Sequence, residues 1–296
     1  MQQGVLLKAF GGFYFVESED GTYACSLRGR LKQELKKQPL GLLAGDEVLF
    51  EPLSEDEGVV EELLPRRNHL IRPKIANVDQ CMIILAVQHP QPDFLLLDRL
   101  LVCLNAAGIE PLLCLNKIDL PGSDEIYRNI LAAYRQTGMT ILGISALNNQ
   151  GLDLLHDKLA GRHSTVAGPS GAGKSTLLNL LQSERVLQTG EISRKLQRGR
   201  HTTRTVELLP LAGGGWVADT PGFSRLDFPP EITADNLANY YPDFLPLAED
   251  CRFDSCCHEQ EPDCRVKAAV EEGKFSAERY QRYLILRDIL RQRSLY

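Results

Sequence analysis

Gly168, Pro169, Ser170, Gly171, Ala172, Gly173, Lys174 and Ser175 run in the order G-x-x-x-x-G-K-S. A loop of this kind wraps backbone N–H groups around a phosphate, sends its lysine to the β and γ oxygens and offers its hydroxyl to Mg²⁺. That chemistry needs an apolar strand leading in and a helix N-terminus aimed at the anion. Ser164 to Ala167 reads as the strand, and Thr176 to Leu181 opens the helix. Lys174 is then the residue that would stabilise charge on a transferring phosphoryl group.

Asn116-Lys117-Ile118-Asp119 stands at the end of a second apolar run, Pro111 to Leu115. The Asp119 carboxylate can accept from the N1–H and the exocyclic N2 amine of guanine together, whereas adenine presents an acceptor at N1 and no amine at C2. Asn116 can bond near N7 and O6 and hold the loop, and Lys117 can lay its stem along the ring. Ser145-Ala146, just past the strand Thr140 to Ile144, would supply a backbone N–H to O6. Asp219-Thr220-Pro221-Gly222 follows another short strand, Gly215 to Ala218. Asp219 would hold Mg²⁺ through a water and Gly222 would bond the γ-phosphate, in a loop that changes shape when that phosphate leaves. Thr202 or Thr203, in a polar basic segment, would close over Mg²⁺. GTP or GDP with Mg²⁺ at Ser175 is the expected ligand set.

Cys251, Cys256, His258 and Cys264 offer three thiolates and one imidazole, a set that closes a tetrahedral structural Zn²⁺ site with no open position for catalysis. Cys257 is a spare that could exchange roles with Cys256. A small reduced-cysteine core is the bland alternative. One zinc per chain is expected, and it would contribute much of the stability of so small a domain.

A chain of 296 residues, 43% hydrophobic and 24% charged, can position such sites on two or three domains. Its longest clean apolar run, Cys81 to Val87, is far short of the roughly 20 residues a membrane span requires. Lys8 interrupts the candidate signal-peptide stretch, so a cytoplasmic location is expected. The net charge of −6 argues against coating nucleic acid through overall charge. Basic clusters at Arg194, Lys195, Arg198, Arg200 and Arg204 and at Arg66, Arg67, Arg72 and Lys74 leave local contacts open, with a solvated charge-balanced surface as the alternative.

Up to about residue 66, short strands at Gly12 to Val16, Tyr23 to Leu27, Asp46 to Glu51 and Val59 to Leu63 predict a small barrel or sandwich. Arg66 to Lys74 reads as a linker. Strands and helices alternate from Asp79, with helices over Phe94 to Ala107, Ser123 to Gln136 and Gly151 to Leu159, which predicts a mainly parallel sheet covered on both faces. After Asp227 come Pro-rich loops, the Cys/His cluster and a helix over Ala277 to Gln292 with Tyr280, Tyr283, Leu284 and Ile289 near helical spacing. The expected domains are 1–66, 67–227 and 228–296.

The guanine motif precedes the phosphate loop, a rotation of the usual order that circular permutation explains if the old termini were close. In this order, in Gly199-Arg200-His201-Thr202-Thr203, in Asp219 to Phe223 and in the Cys/His spacing, the chain resembles the small-subunit-dependent, circularly permuted GTPases of the RsgA (YjeQ) type over nearly its whole length. The resemblance implies an N-terminal OB-type β-barrel, a central permuted α/β P-loop GTPase domain and a C-terminal, mostly α zinc domain, with Cys256 favoured over Cys257. It also implies a monomer whose partners are the small ribosomal subunit and its rRNA, acting in late maturation with hydrolysis stimulated by that particle.

Phe223 stands where many GTPases carry a water-orienting glutamine, so unaided turnover is expected to be slow. His201, near Thr203, is the candidate to take over that role, against the alternative of a surface histidine in a basic segment. Two rival readings keep their own tests. An RNA-binding assembly module using nucleotide only for stability predicts no stimulation by the particle, and a P-loop kinase or ATPase predicts ATP preference.

Overall fold

The computed structural model describes residues 1–37, 39–71, 73–189, 206–219 and 227–293. Over these residues the chain forms two compact units, Met1–Met82 with Asp153–Ala167 and Lys174–Phe223, and Ile83–Leu152 with Gly168–Gly173 and Ser224–Tyr296.

In the first unit, β1 (Gln2–Phe10), β2 (Phe13–Ser18), β3 (Gly21–Leu27), β4 (Glu47–Pro52) and β5 (Glu57–Leu63) close into a barrel in the order β1-β2-β3-β5-β4. Only β3 and β5 pair in parallel; the other four pairings are antiparallel. Closure leaves no strand edge free to template aggregation. Leu6, Val16, Tyr23, Cys25, Val48, Phe50 and Val60 fill the interior, and the short helix α1 (Gly29–Leu35) adds Leu31 and Leu35 from one helical face. Sequence reasoning overlooked β1. A bulge falls between Leu6 and Lys8, and Leu6 and Leu7 are both buried, which breaks the alternation that marks a strand.

The stretch read as a linker is built into the fold. β6 (His69–Leu70) and β7 (Ile75–Ala76) pair as a hairpin. Arg66 donates from Nε and Nη2 to the fully buried Asp46 at 2.6 and 2.8 Å, and Arg67 donates to Asp79 at 2.6 Å. These arginines look like free surface charge only because their acidic partners lie elsewhere in the sequence.

A six-stranded sheet runs in the order β10-β9-β8-β11-β13-β12. β8 (Gln80–Ala86) is buried at every residue, as a central strand must be. β9 (Glu110–Asn116) and β10 (Thr140–Ile144) pair in parallel with Ile144 opposite Asn116, and β11 (Arg162–Ala167) runs parallel to β13 (Gly215–Asp219). The antiparallel edge strand β12 (Glu207–Pro210), four residues ending in proline, had no strand signature in the sequence. The helices α2 (Phe94–Ala106), α3 (Ser123–Tyr134), α4 (Leu152–Leu159) and α5 (Lys174–Thr189) alternate with the strands. None among the described residues is long and apolar enough to cross a membrane.

The second unit ends in α6 (Leu245–Ala248), α7 (Arg265–Glu271) and α8 (Ala277–Arg293). Tyr280, Tyr283, Leu286 and Leu290 of α8 are buried, and Tyr283 packs edge-on against Tyr241 and Phe244. Arg279 is 1% exposed. It donates to Asp98 of α2 at 2.5 Å and to Asp243 at 2.7 Å, and its guanidinium lies 4.7 Å from the Tyr134 ring centroid. Arg282 adds a second bond to Asp98 at 2.5 Å. Toward the other end, Arg287 donates to Ala234 O at 2.9 Å, and Arg293 donates to the carbonyls of Phe228, at 2.7 Å, and Ile232. The arginines of this helix therefore tie α2 at one end and the chain following residue 226 at the other.

Candidate nucleotide site and metal cluster

β11 runs directly into the phosphate loop, and α5 starts at Lys174, two residues earlier than Thr176. Gly168 and Gly173 take φ of +137° and +97°, which side chains rarely adopt. A β-carbon on Gly168 would lie 2.1 Å from Ile84 O of β8, and one on Gly173 would lie 2.2 Å from Asn116 Nδ2. Neighbouring groups thus impose the glycine spacing. Ala172 is buried, Ser170, Ser175 and Thr176 are exposed, and partial burial holds the Lys174 ammonium below its ordinary pKa.

Asn116 joins the two recognition loops. Its Nδ2 donates to Ala172 O at 2.8 Å, and its Oδ1 accepts from the Ala146 amide at 3.1 Å, while the residue is 2% exposed. This is the loop-holding role. The Ser145 amide donates to Gln150 O at 3.0 Å, so a guanine O6 would have to compete with Asn116 for the Ala146 amide. Lys117, at φ +68°, donates from Nζ to His89 O. Asp119 is exposed, and no hydrogen bond to its carboxylate exists among the described residues. Asp219 closes β13, with its side chain outside the description. His201, Thr202, Thr203, Gly222 and Phe223 lie outside the described residues.

Gly173→Ala is expected to weaken GDP binding by about tenfold or more, because the methyl group must displace the Asn116 amide, and about 1.4 kcal/mol is already a factor of ten. Titration with a fluorescent GDP checks this, and an unchanged dissociation constant would show that the bridge is dispensable.

Cys251, Cys256, His258 and Cys264 bring their ligand atoms within 4.8 Å of one another. Nδ1 of His258 faces the thiols, 3.7 Å from Cys251 Sγ and 3.4 Å from Cys264 Sγ. A tetrahedral Zn²⁺ with bonds of about 2.3 Å needs sulfur atoms about 3.8 Å apart, so the cluster fits such an ion. Burial favours neutral His258, the ligating form, and pushes the Cys256 thiol up to about 12, a cost that a bound cation reverses. Cys257 is not in the cluster; its Sγ lies by Ser255 O and Asp235 O at 3.7 and 3.9 Å.

Sequence reasoning missed Glu261. Its carboxylate accepts from the amides of Cys257, Glu259 and Gln260 at 2.8 to 3.1 Å, and although burial opposes its charge these bonds bring it down to about 2. Tyr280 and Tyr283 donate to the carbonyls of His258 and Cys257 at 2.8 and 2.7 Å, which pins the ligand loop to α8. An acid between two ligands is indistinguishable in sequence from a surface charge.

Comparison with known proteins agrees over the whole length. The RsgA GTPase family profile matches residues 63–229, and the RsgA N-terminal domain profile matches residues 3–60. The small ribosomal subunit biogenesis GTPase RsgA of Moorella thermoacetica is 49% identical over 294 residues, covering 99% of each chain. That of Caldanaerobacter subterraneus subsp. tengcongensis is 44% identical over 96% of this chain and 94% of the relative. Among solved structures, YjeQ from Thermotoga maritima matches with a TM-score of 0.81 and 32% identity over 98% of each chain. YloQ, a circularly permuted GTPase, matches with a TM-score of 0.81 and 34% identity over 99% of this chain and 96% of that one.

Proposed function

The chain belongs to the RsgA GTPase family and is a GTP hydrolase, and from that premise we propose that it binds the small ribosomal subunit and assists its late maturation. On this reading the particle stimulates GTP hydrolysis, and hydrolysis drives release. The protein acts as a cytoplasmic monomer with rRNA among its contacts and with domains at 1–66, 67–227 and 228–296. The relatives' names support the partner. The observation that carries the nucleotide assignment is Asn116, which bonds the phosphate loop and the Ser145-Ala146 loop at once.

Within this reading Gly168 to Ser175 and Thr176 cradle the phosphates and Lys174 reaches the β and γ oxygens. Asp119 selects guanine, with Asn116, Lys117, Ser145 and Ala146 completing the base pocket, and Gly222 meets the γ-phosphate. Ser175, Asp219 and either Thr202 or Thr203 would hold Mg²⁺, which neutralises charge on the phosphate oxygens when bound. His201 orients the water that attacks the γ-phosphorus as the bond to GDP breaks, the part Phe223 cannot play. Cys251, Cys256, His258 and Cys264 hold one structural Zn²⁺.

Turnover of GTP and of ATP, each with and without purified small subunits at fixed salt and Mg²⁺, tests the proposal. Slow GTP-selective turnover that rises strongly on the particle is expected. ATP preference removes the base assignment, and GTP selectivity without stimulation removes the timed release. His201→Ala should lower the stimulated rate by about 10²-fold or more while GTP affinity holds. Normal stimulated turnover by that variant rules His201 out.

A further inference from the structure

The loop after β8 meets both halves of the nucleotide site. Gln88 Nε2 donates to Pro121 O at 3.0 Å, and the carbonyl of His89 accepts from Lys117 Nζ. The Pro90 Cδ stands 3.5 Å from where a β-carbon on Gly171 would be. Gln88 and His89 thus bond the segment carrying Asp119, and Pro90 stands beside the phosphate loop. His89 turns the chain between them through a φ of +48°.

The segment from Asp119 to Gly122 is otherwise held only locally. Leu120 donates to Lys117 O at 3.2 Å, Ser123 donates to Leu120 O at 3.2 Å, and Ser123 Oγ donates to Ile118 O at 2.5 Å. Among the described residues, the Gln88 bond is the one hydrogen bond that reaches residues 119–122 from outside 117–123. Asn116 fixes the root of this segment from the strand end, but it does not touch the part that carries the carboxylate.

We infer that Gln88 is a positioning residue for guanine recognition, holding the Asp119 segment at a set distance from the phosphate loop so that one nucleotide satisfies both. The inference rests on the nucleotide assignment above. Gln88 itself touches no substrate. Its effect is geometric, because a base edge read by a carboxylate loses discrimination when that carboxylate drifts while the phosphates stay anchored.

The test compares GDP with inosine diphosphate, which lacks the N2 amine that Asp119 reads, by calorimetric titration. Gln88→Ala and Gln88→Glu, the second keeping the shape but not the N–H, are expected to weaken GDP binding about threefold to tenfold. Inosine diphosphate should lose less, so that the ratio of the two affinities falls, with the thermal midpoint unchanged. Gln88→Lys, which restores a donor on a stem of similar reach, should recover part of the ratio. An affinity ratio in the Glu variant equal to that of the wild type overturns the inference. Wild-type protein that binds both nucleotides equally overturns the Asp119 assignment itself, and the role of Gln88 with it.

Discussion

Asp98→Ala is expected to lower the free energy of unfolding by about 3–5 kcal/mol, the range measured when one partner of a buried ion pair is removed. Asp98 is fully buried and accepts from Arg279, Arg282 and the Tyr134 hydroxyl, the last at 2.9 Å. Burial works against the charge on Arg279, and Asp98 with Asp243 more than offsets it, keeping the guanidinium firmly protonated. Without Asp98 that cation stays buried and underpaired, held by Asp243 alone. Urea unfolding checks the figure. Replacing Arg279 together with both of its buried acids, as Asp98→Leu, Asp243→Leu and Arg279→Met, should destabilise less than Asp98→Ala, because only the partly exposed Arg282 then loses a partner. A single variant within about 0.5 kcal/mol of wild type, as for an ordinary surface change, would falsify this account of the network.

The larger effect should come from the metal cluster. Structural Zn²⁺ sites contribute apparent binding energies of about 10–16 kcal/mol near neutral pH, more than a small domain holds otherwise. Chelation, or Cys256→Ser, is therefore expected to unfold residues 245–293 as a unit while the barrel keeps its structure. Cys257→Ser should leave one zinc per chain, because that thiol sits by Ser255 O and Asp235 O and outside the four-ligand group. Atomic absorption gives the stoichiometry, and circular dichroism before and after a chelator gives the helix loss. Equal zinc retention in the two serine variants would contradict the geometry. Loss should spread along α8, since Tyr280 and Tyr283 hold the carbonyls of His258 and Cys257.

The parts legible in the sequence are those whose physical requirement is local. The spacing of Gly168 and Gly173 could be read because each backbone passes so near another group that no side chain fits. β8 could be read because this central strand is apolar at every position from Cys81 onward. Where the requirement is distant, reading failed. β1 disappeared behind a bulge, and Arg66 and Arg67 passed for a linker because nothing nearby advertises Asp46 or Asp79. Gln88 carries no pattern at all, since its meaning lies in a carbonyl 33 residues ahead. The choice between Cys256 and Cys257 likewise needed coordinates, because adjacent thiols have the same spacing to every other ligand within one residue.

The reach of α8 across the chain also bears on how the protein is made. Arg279 leaves the synthesis machinery 181 residues after its partner Asp98. At about 5–20 residues per second, that interval lasts about 10–35 s. During it Asp98 waits on α2 without its cation, and by its end every segment that forms the phosphate and guanine loops has been translated. The nascent chain can therefore shape its nucleotide loops before it can seal its C-terminal core. Arg293, synthesised later still, is what fastens Phe228 and Ile232, so a chain that stops before residue 293 lacks that closing stitch.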